Sequence, residues 1–397
     1  MEKVSNRVEQ LEVSQTLAMS QRSRDLKCQG INVIDLSVGE PDFPTPDFVK
    51  DAAKSAIDNN ITFYSPAGGF ADLLQAISAK LKRENNLDFS PAQIVVSNGA
   101  KHSLANIFMA LVEKGDEVIV PAPYWVSYVE LVKIAEGKSV VIETGLDSDF
   151  KITPEQLEKA ITPKTKALLL CSPSNPTGSV YTRDELRAIA DVLAKHPQVF
   201  VISDEIYEHI NFIGKHESIA QFEQLAGRVI IINGVSKGYA MTGWRIGYSA
   251  TPLWLAKACN KLQGQMTSGA NSIAQKAAIA AISSDGEYPK MMCQSFQKRR
   301  DLVVEKMKKI SGFEINVPQG AFYVFPEISQ LIGKSFNGET IKNSSDLAMF
   351  LLNNAHVAMV PGSAFGAENY IRLSYAASES ELVESLNRVA KAVELLK

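Results

Sequence analysis

Hydrophobic positions along the chain fall into two regimes. From Ile94 onward, short apolar runs rich in β-branched residues alternate with stretches in which apolar residues recur every three or four positions. The runs predict strands over Ile94–Ser97, Glu117–Val120, Ser139–Glu143, Lys166–Cys171, Val199–Ser203, Val229–Asn233 and Ile246–Ala250. The stretches predict helices over Lys101–Glu113, Val126–Ala135, Pro154–Ile161 and Asp184–Lys195, and one long helical stretch from Pro252 to Ser283. A strand buried on both faces reads as an unbroken apolar run, as Ala167–Leu170 does, so this region is expected to be an α/β domain around a mostly parallel sheet. In such a domain, catalytic loops sit at the carboxyl ends of the strands.

Beyond about Ser284 the alternation stops. A charged helix over Tyr288–Ile310, a strand at Ala321–Phe325, a helix near Ser345–Asn353, strands at Val357–Val360 and Tyr370–Ser374, and a closing amphipathic helix over Glu379–Leu396 suggest a smaller α+β domain. The short strand Ile34–Ser37 and the turn-rich Gly39–Pro44 fit neither the large sheet nor a linker, so the N-terminal arm is expected to join the smaller domain. The boundaries expected are 1–47 for the arm, 48–285 for the large domain and 286–397 for the remainder.

Charge and composition narrow the possibilities. The 41 Lys+Arg nearly balance 44 Asp+Glu, which argues against a broadly basic nucleic-acid binder. No run of about 18 apolar residues offers a membrane span, and the first thirty residues lack a secretory core, so a cytoplasmic protein is expected. Four scattered cysteines and five scattered histidines form no ligand motif, and no metal is expected. Walker A and GxGxxG patterns are both missing.

The candidate chemistry lies where strands end. Lys237 follows the Val229–Asn233 strand among small residues, where an amine can be desolvated and its pKa lowered; alone it reads as readily as a solvated loop lysine. Arg245, eight positions on, could join Ser236 and Lys237 around a phosphate. Asp204 closes the Val199–Ser203 strand, either as a helix cap or as the partner of a cation in a cleft. Asn175 sits in a rigid Asn-Pro-Thr-Gly turn. Asn98-Gly99-Ala100-Lys101 opens a helix whose free amides suit an anion. Trp125 offers an aromatic face or is simply core. Five strand ends therefore each carry a group suited to a planar, phosphorylated, carbonyl-bearing ligand.

Nine segments in order, among them Ser37-Val38-Gly39-Glu40-Pro41-Asp42-Phe43, Tyr64-Ser65-Pro66-Ala67-Gly68, Asn175-Pro176-Thr177-Gly178, Ser203-Asp204-Glu205-Ile206-Tyr207, Ser236-Lys237 and Arg372-Leu373-Ser374, make the chain resemble the class I aminotransferases of pyridoxal-phosphate fold type I. The likeness is greatest to the bacterial aspartate and prephenate branch. It implies a large domain with a mostly parallel seven-stranded sheet and a smaller α+β domain, pyridoxal 5'-phosphate as cofactor, and a homodimer with shared active sites. By the resemblance, Lys237 would bind the cofactor covalently, Asp204 would pair with its ring nitrogen, and Asn175 and Tyr207 would bond its phenolic oxygen. Gly99, Ala100, Lys101, Ser236, Arg245 and a partner subunit's Tyr64 would surround the phosphate, with Trp125 on the ring. Arg372 would clamp the substrate α-carboxylate, near Gly39, Trp125 and Asn175.

The reaction implied is ping-pong transfer of an amino group between an amino acid and a 2-oxo acid. Aspartate with 2-oxoglutarate comes first; prephenate or aromatic amino acids, a lyase of this fold and a non-catalytic sensor are the alternatives. A distal carboxylate needs a second cation. Lys101, on the first turn of its helix, is the candidate, with Thr16 of the N-terminal arm beside it in the related branch.

Overall fold

The structure is a computed structural model describing residues 4–397. After the two-residue strand β1 (Ile34–Asp35) the chain makes β2 (Ile94–Ser97), β3 (Glu117–Ala122), β4 (Lys138–Glu143), β5 (Thr165–Cys171), β6 (Phe200–Asp204), β7 (Val229–Gly234) and β8 (Gly247–Ala250). Strands β2 to β8 form one seven-stranded sheet in the order β2-β8-β7-β6-β5-β3-β4. Only β8 runs antiparallel to its neighbours. The expected strands are all present, within a residue or two of their expected ends.

Successive side chains of a strand point to opposite faces, and β5 shows how both faces are covered. Ala167 and Leu169 pack with Leu104, Ile107, Leu255 and Ala256 on one side; Leu168 and Leu170 pack with Leu186, Ile189 and Leu193 on the other. The helices supplying those residues are Ala100–Leu111, Leu253–Met266 and Arg183–Ala194. The last begins with a reciprocal cap between Thr182 and Glu185. Burying each such leucine stabilises the fold by about 1.5–3 kcal/mol.

The remaining strands are short: β9 (Tyr323–Val324), β10 (Ser335–Phe336), β11 (Glu339–Thr340), β12 (Val357–Ala358), β13 (Val360–Pro361) and β14 (Ile371–Ser374). β14 lies between β13 and β9, antiparallel to both, while β1 pairs in parallel with β12 at Ile34↔Val357. The helices Glu287–Met307, Ser344–Asn354 and Glu379–Val393 share one core with β9, β12 and β14 and with Val33, Ile34 and Leu36.

Three expectations need correction. The stretch Pro252–Ser283 is two helices, Leu253–Met266 and Ser272–Ile282. Ser268 takes a left-handed φ of 59°, and the Asn271 side chain accepts from Ala274 N to begin a new helix, so apolar spacing continues across a break that capping imposes. The single strand expected over Val357–Val360 divides between two sheets, and only Ile34–Asp35 of the expected Ile34–Ser37 strand pairs. Helices Gln15–Cys28, Asp47–Asp58 and Ala71–Lys80 lie in segments where none was expected. The first buries only Met19, Ser20 and Ser23, so it carries almost no apolar stripe.

Candidate active site

The cleft forms at the carboxyl edge of the sheet. Loops after β2, β3, β5, β6 and β7 converge there, and the reversed direction of β8 brings its leading residue Arg245 to the same rim, where Gly247 registers with both Ser97 and Gly234. The cavity is about 370 Å³ and is lined by Gly39, Ala100, Lys101, Trp125, Asn175, Asp204, Tyr207, Ser236, Lys237, Arg245 and Arg372, with Thr16 from the N-terminal arm.

Lys237 is half-buried and donates from Nζ to the Gly39 carbonyl at 2.5 Å. Burial pushes its pKa down to about 8, with Arg245 and Arg372 adding to the effect and Glu40 and Asp204 opposing it. An amine so placed is partly neutral near physiological pH, as a nucleophile must be.

Asp204 is buried. Its Oδ2 accepts from Tyr128 Oη at 2.7 Å and its Oδ1 from the Ile206 amide at 3.2 Å. Burial raises its pKa to about 6, against the pull of those two donors. The side chain therefore remains largely a carboxylate at pH 7, at a cost that a cationic partner would recover.

Arg372 is 1% exposed and sandwiched between Tyr323 and Phe365, its guanidinium carbon 4.6 and 4.9 Å from the two ring centres. Nη1 donates to Asn175 Oδ1 at 3.0 Å and Nη2 to the Ser37 carbonyl at 2.6 Å, while Nε has no partner among the described residues. With Oδ1 of Asn175 taken, its Nδ2 is the end available to another acceptor. Tyr207 and Tyr323 share a hydrogen bond of 2.9 Å between hydroxyls, and burial holds both phenols above the ordinary tyrosine pKa.

An anion cradle closes one end. Gly99 caps the Ala100–Leu111 helix at φ 86°, a conformation that favours glycine, and a Cβ there would run into the Arg245 guanidinium. Arg245 itself donates to the carbonyls of Thr242 and Asn98 at 2.9 and 3.3 Å. The first amides of that helix and the buried Ser236 complete a set of donors suited to a phosphate. Lys101 has an open side chain whose ammonium lies 4.8 Å from the Trp125 ring centre; partial burial and Arg245 lower its pKa.

Of the residues singled out in the sequence, only Gly99 and Tyr64 do not line the cavity. Gly99 lies directly beneath Arg245. Tyr64 is 97% exposed. Its loop is anchored at the helix break, where Ser65 Oγ donates to Ala270 O at 2.9 Å and Gln275 Nε2 donates to Ser65 Oγ at 2.9 Å. Sequence reasoning missed Tyr128 and Tyr323, which hold Asp204 and Tyr207, and the lining residues Ser14, Leu17 and Cys171. Tyr128 reads as an ordinary core aromatic on its helix, and its partner is 76 positions away, so no local signal marks it.

The model of the family described as aminotransferase class I and II matches residues 31–389. An aspartate/prephenate aminotransferase of Nitrosomonas europaea is 47% identical, over 98% of this chain and 99% of the relative. Among solved structures, the aspartate aminotransferase of Rhizobium meliloti has a TM-score of 0.96 at 44% identity, with all of both chains covered. That of Thermus thermophilus, with maleate, has a TM-score of 0.92 at 38% identity, covering 99% of this chain and 100% of the other.

Proposed function

Because the chain belongs to the aminotransferase class I and II family, which implies dependence on pyridoxal phosphate, we propose that it moves the amino group of L-aspartate to 2-oxoglutarate, one substrate after the other, in this cleft. The observation that carries the proposal is the convergence of a half-buried amine, a buried carboxylate and a buried guanidinium, Lys237, Asp204 and Arg372, around one cavity. The residues fit the cofactor. Asp204 is a desolvated anion suited to a ring N–H, the first turn of the Ala100–Leu111 helix with Ser236 and Arg245 suits the phosphate, and Asn175 Nδ2 and the Tyr207 hydroxyl suit the phenolic oxygen.

Pyridoxal phosphate, when bound, supplies an aldehyde that condenses with amines and a protonated ring that withdraws electrons from the substrate α-carbon. The chain's own groups do the rest. Arg372 orients the amino acid by its α-carboxylate through a planar fork already held by Asn175 and Ser37. Lys237 Nζ, poised near neutrality, takes the α-proton and returns it one step away. Trp125 would cover the cofactor ring. Water would then release the oxo acid with the amino group kept by the cofactor, and a second oxo acid would take that group up by the same residues in reverse order.

Shared sites in a homodimer follow from Tyr64. Like Phe63, which is 80% exposed, it stands on an anchored loop outside its own cleft, which suits delivery to the phosphate of a second copy. A monomer fully active at all dilutions would refute this.

Lys101 and Thr16 on the cavity wall support a dicarboxylic substrate, in keeping with the maleate named in the Thermus structure. Leu17, exposed yet lining the same wall, favours prephenate as a second acceptor, because it adds apolar surface for a ring. The test is kcat/KM for aspartate, glutamate, phenylalanine and alanine as donors, with oxaloacetate and prephenate as acceptors, repeated on Lys101→Ser. Aspartate should lead and fall about tenfold or more in the variant. Phenylalanine leading, or aspartate unchanged, would overturn the assignment.

A further inference from the structure

The segment that leaves β6 presents residues to two sides. Asp204 and Tyr207 line the cleft, whereas Glu205 and Glu208 turn away from it and are nonetheless 1% and 7% exposed. Two carboxylates therefore lie buried immediately behind the site, and each has a cationic neighbour. Glu208 pairs with the buried Lys80 and also accepts from Asn85 Nδ2 at 3.0 Å and Asn233 Nδ2 at 2.7 Å. Glu205 accepts from the hydroxyls of Ser203 and Ser218 at 2.9 and 2.6 Å through Oε1. Its Oε2 lies 3.1 Å from His216 Nε2, an ion pair while the imidazole is protonated.

The two pairs differ in one respect. The partner of Glu208 is a lysine, whereas that of Glu205 is a histidine, a cation only while protonated. His216 also forms part of the wall of a surface cavity of about 410 Å³ that carries Asp88, Arg183, Lys215, Glu217 and Glu223, so protons can reach it from outside. The groups acting on it from the interior are Glu205, Glu208 and Lys80. Burial opposes its charge, yet the two carboxylates prevail and hold its pKa above the ordinary histidine value.

We propose that His216 is a positioning residue for the reaction: by staying protonated it cancels the charge of Glu205, so that Asp204 faces the cofactor without a second negative charge at its back. The proposal rests on the cofactor reading given above. Removing the cation leaves Glu205 uncompensated, which favours protons on every nearby site, including Asp204 and the nitrogen of Lys237. The nearer of these, Asp204, already counts Glu205 among the causes that raise its pKa.

Two readouts test this. In the cofactor-free full chain with labelled imidazoles, NMR should show one buried histidine titrating above about 6.5, the ordinary value, and returning toward it in Glu205→Gln. In the holoenzyme, the spectral pKa of the cofactor-bound lysine should rise by roughly half to one pH unit in His216→Gln, the size of effect one unit charge exerts across a protein interior, and should move back in Glu205→Gln/His216→Gln. A purely structural role would lower the melting temperature of both variants without this cancellation. The proposal is overturned if no histidine responds to Glu205→Gln, if the responding one titrates below the ordinary value, or if the spectral pKa is unmoved in His216→Gln or stays displaced in the double variant. Should His216→Gln not fold, the NMR arm decides. Failure of the wild type to form any cofactor band would sink the cofactor reading instead, and the NMR arm would still report on the pair.

Discussion

Tyr128→Phe isolates the device that keeps Asp204 ionised. The substitution removes one oxygen from a fully packed ring and deletes the 2.7 Å donor to Asp204 Oδ2, leaving the Ile206 amide as the remaining donor. A hydrogen bond to a buried charge is worth about 1.5–3 kcal/mol, which corresponds to roughly one to two pKa units. Asp204 would then move from about 6 to the region of 7 to 8. At pH 7 its ionised fraction would fall from about nine-tenths to between a half and a tenth, so a cofactor that needs the carboxylate should bind about two- to tenfold more weakly. At pH 9 the fraction is nearly complete in both proteins and the ratio of dissociation constants should return to about one. Titrating cofactor-free wild type and variant with pyridoxal phosphate from pH 6 to 9 gives that ratio directly, since proton equilibria elsewhere are common to both and cancel. A ratio that stays constant with pH would refute the reasoning, because it would mean the hydroxyl contributes packing or geometry and not charge state.

Other outcomes follow from the same geometry. Arg372→Lys loses the planar fork and leaves Asn175 Oδ1 or Ser37 O without its donor; kcat/KM for all donors should fall about a hundredfold or more, and an unchanged KM would argue against a carboxylate clamp. In Gly39→Ala a Cβ would lie 2.5 Å from Tyr323 Oη, so the tyrosine must move, at a cost of about 1–3 kcal/mol, and steady-state kinetics should recover partly when Tyr323→Phe is added. Glu208 is held far below the usual carboxylate range, burial opposing and Lys80, His209 and His216 prevailing, so its contribution is present above about pH 4.5 and lost as pH falls. Glu208→Gln should cost about 3–5 kcal/mol at pH 7 by stranding Lys80, with the deficit shrinking in more acid solution; denaturant melts showing a constant deficit to pH 3 would contradict this.

The central sheet was legible because most of its strands are buried on both faces and stand out as apolar runs, β5 and β7 most plainly. Most of the groups proposed to face the cofactor were legible because they follow such a run. What escaped are the supports. Tyr323 holds Tyr207 from 116 positions away, and Lys80 neutralises Glu208 from 128. A buried lysine and a core tyrosine carry no mark of their partners in a linear sequence. The helix break at Ser268 escaped for a different reason: apolar periodicity reports which face is buried and is blind to a single left-handed residue.

The bond from Arg372 to the Ser37 carbonyl joins positions 335 apart. During synthesis the amine and the carboxylate of the cleft leave the ribosome long before the guanidinium that completes it. The large sheet can gather its strands in order, each pairing mostly with recent arrivals, but the substrate clamp must wait until β14 closes back over the N-terminal segment. Contacts of such separation form late and slowly. A chain cut short of β14 would therefore keep much of the phosphate cradle and lose the means of holding an amino acid, so appearance of turnover after release from denaturant would time the last tertiary event, well after recovery of secondary structure.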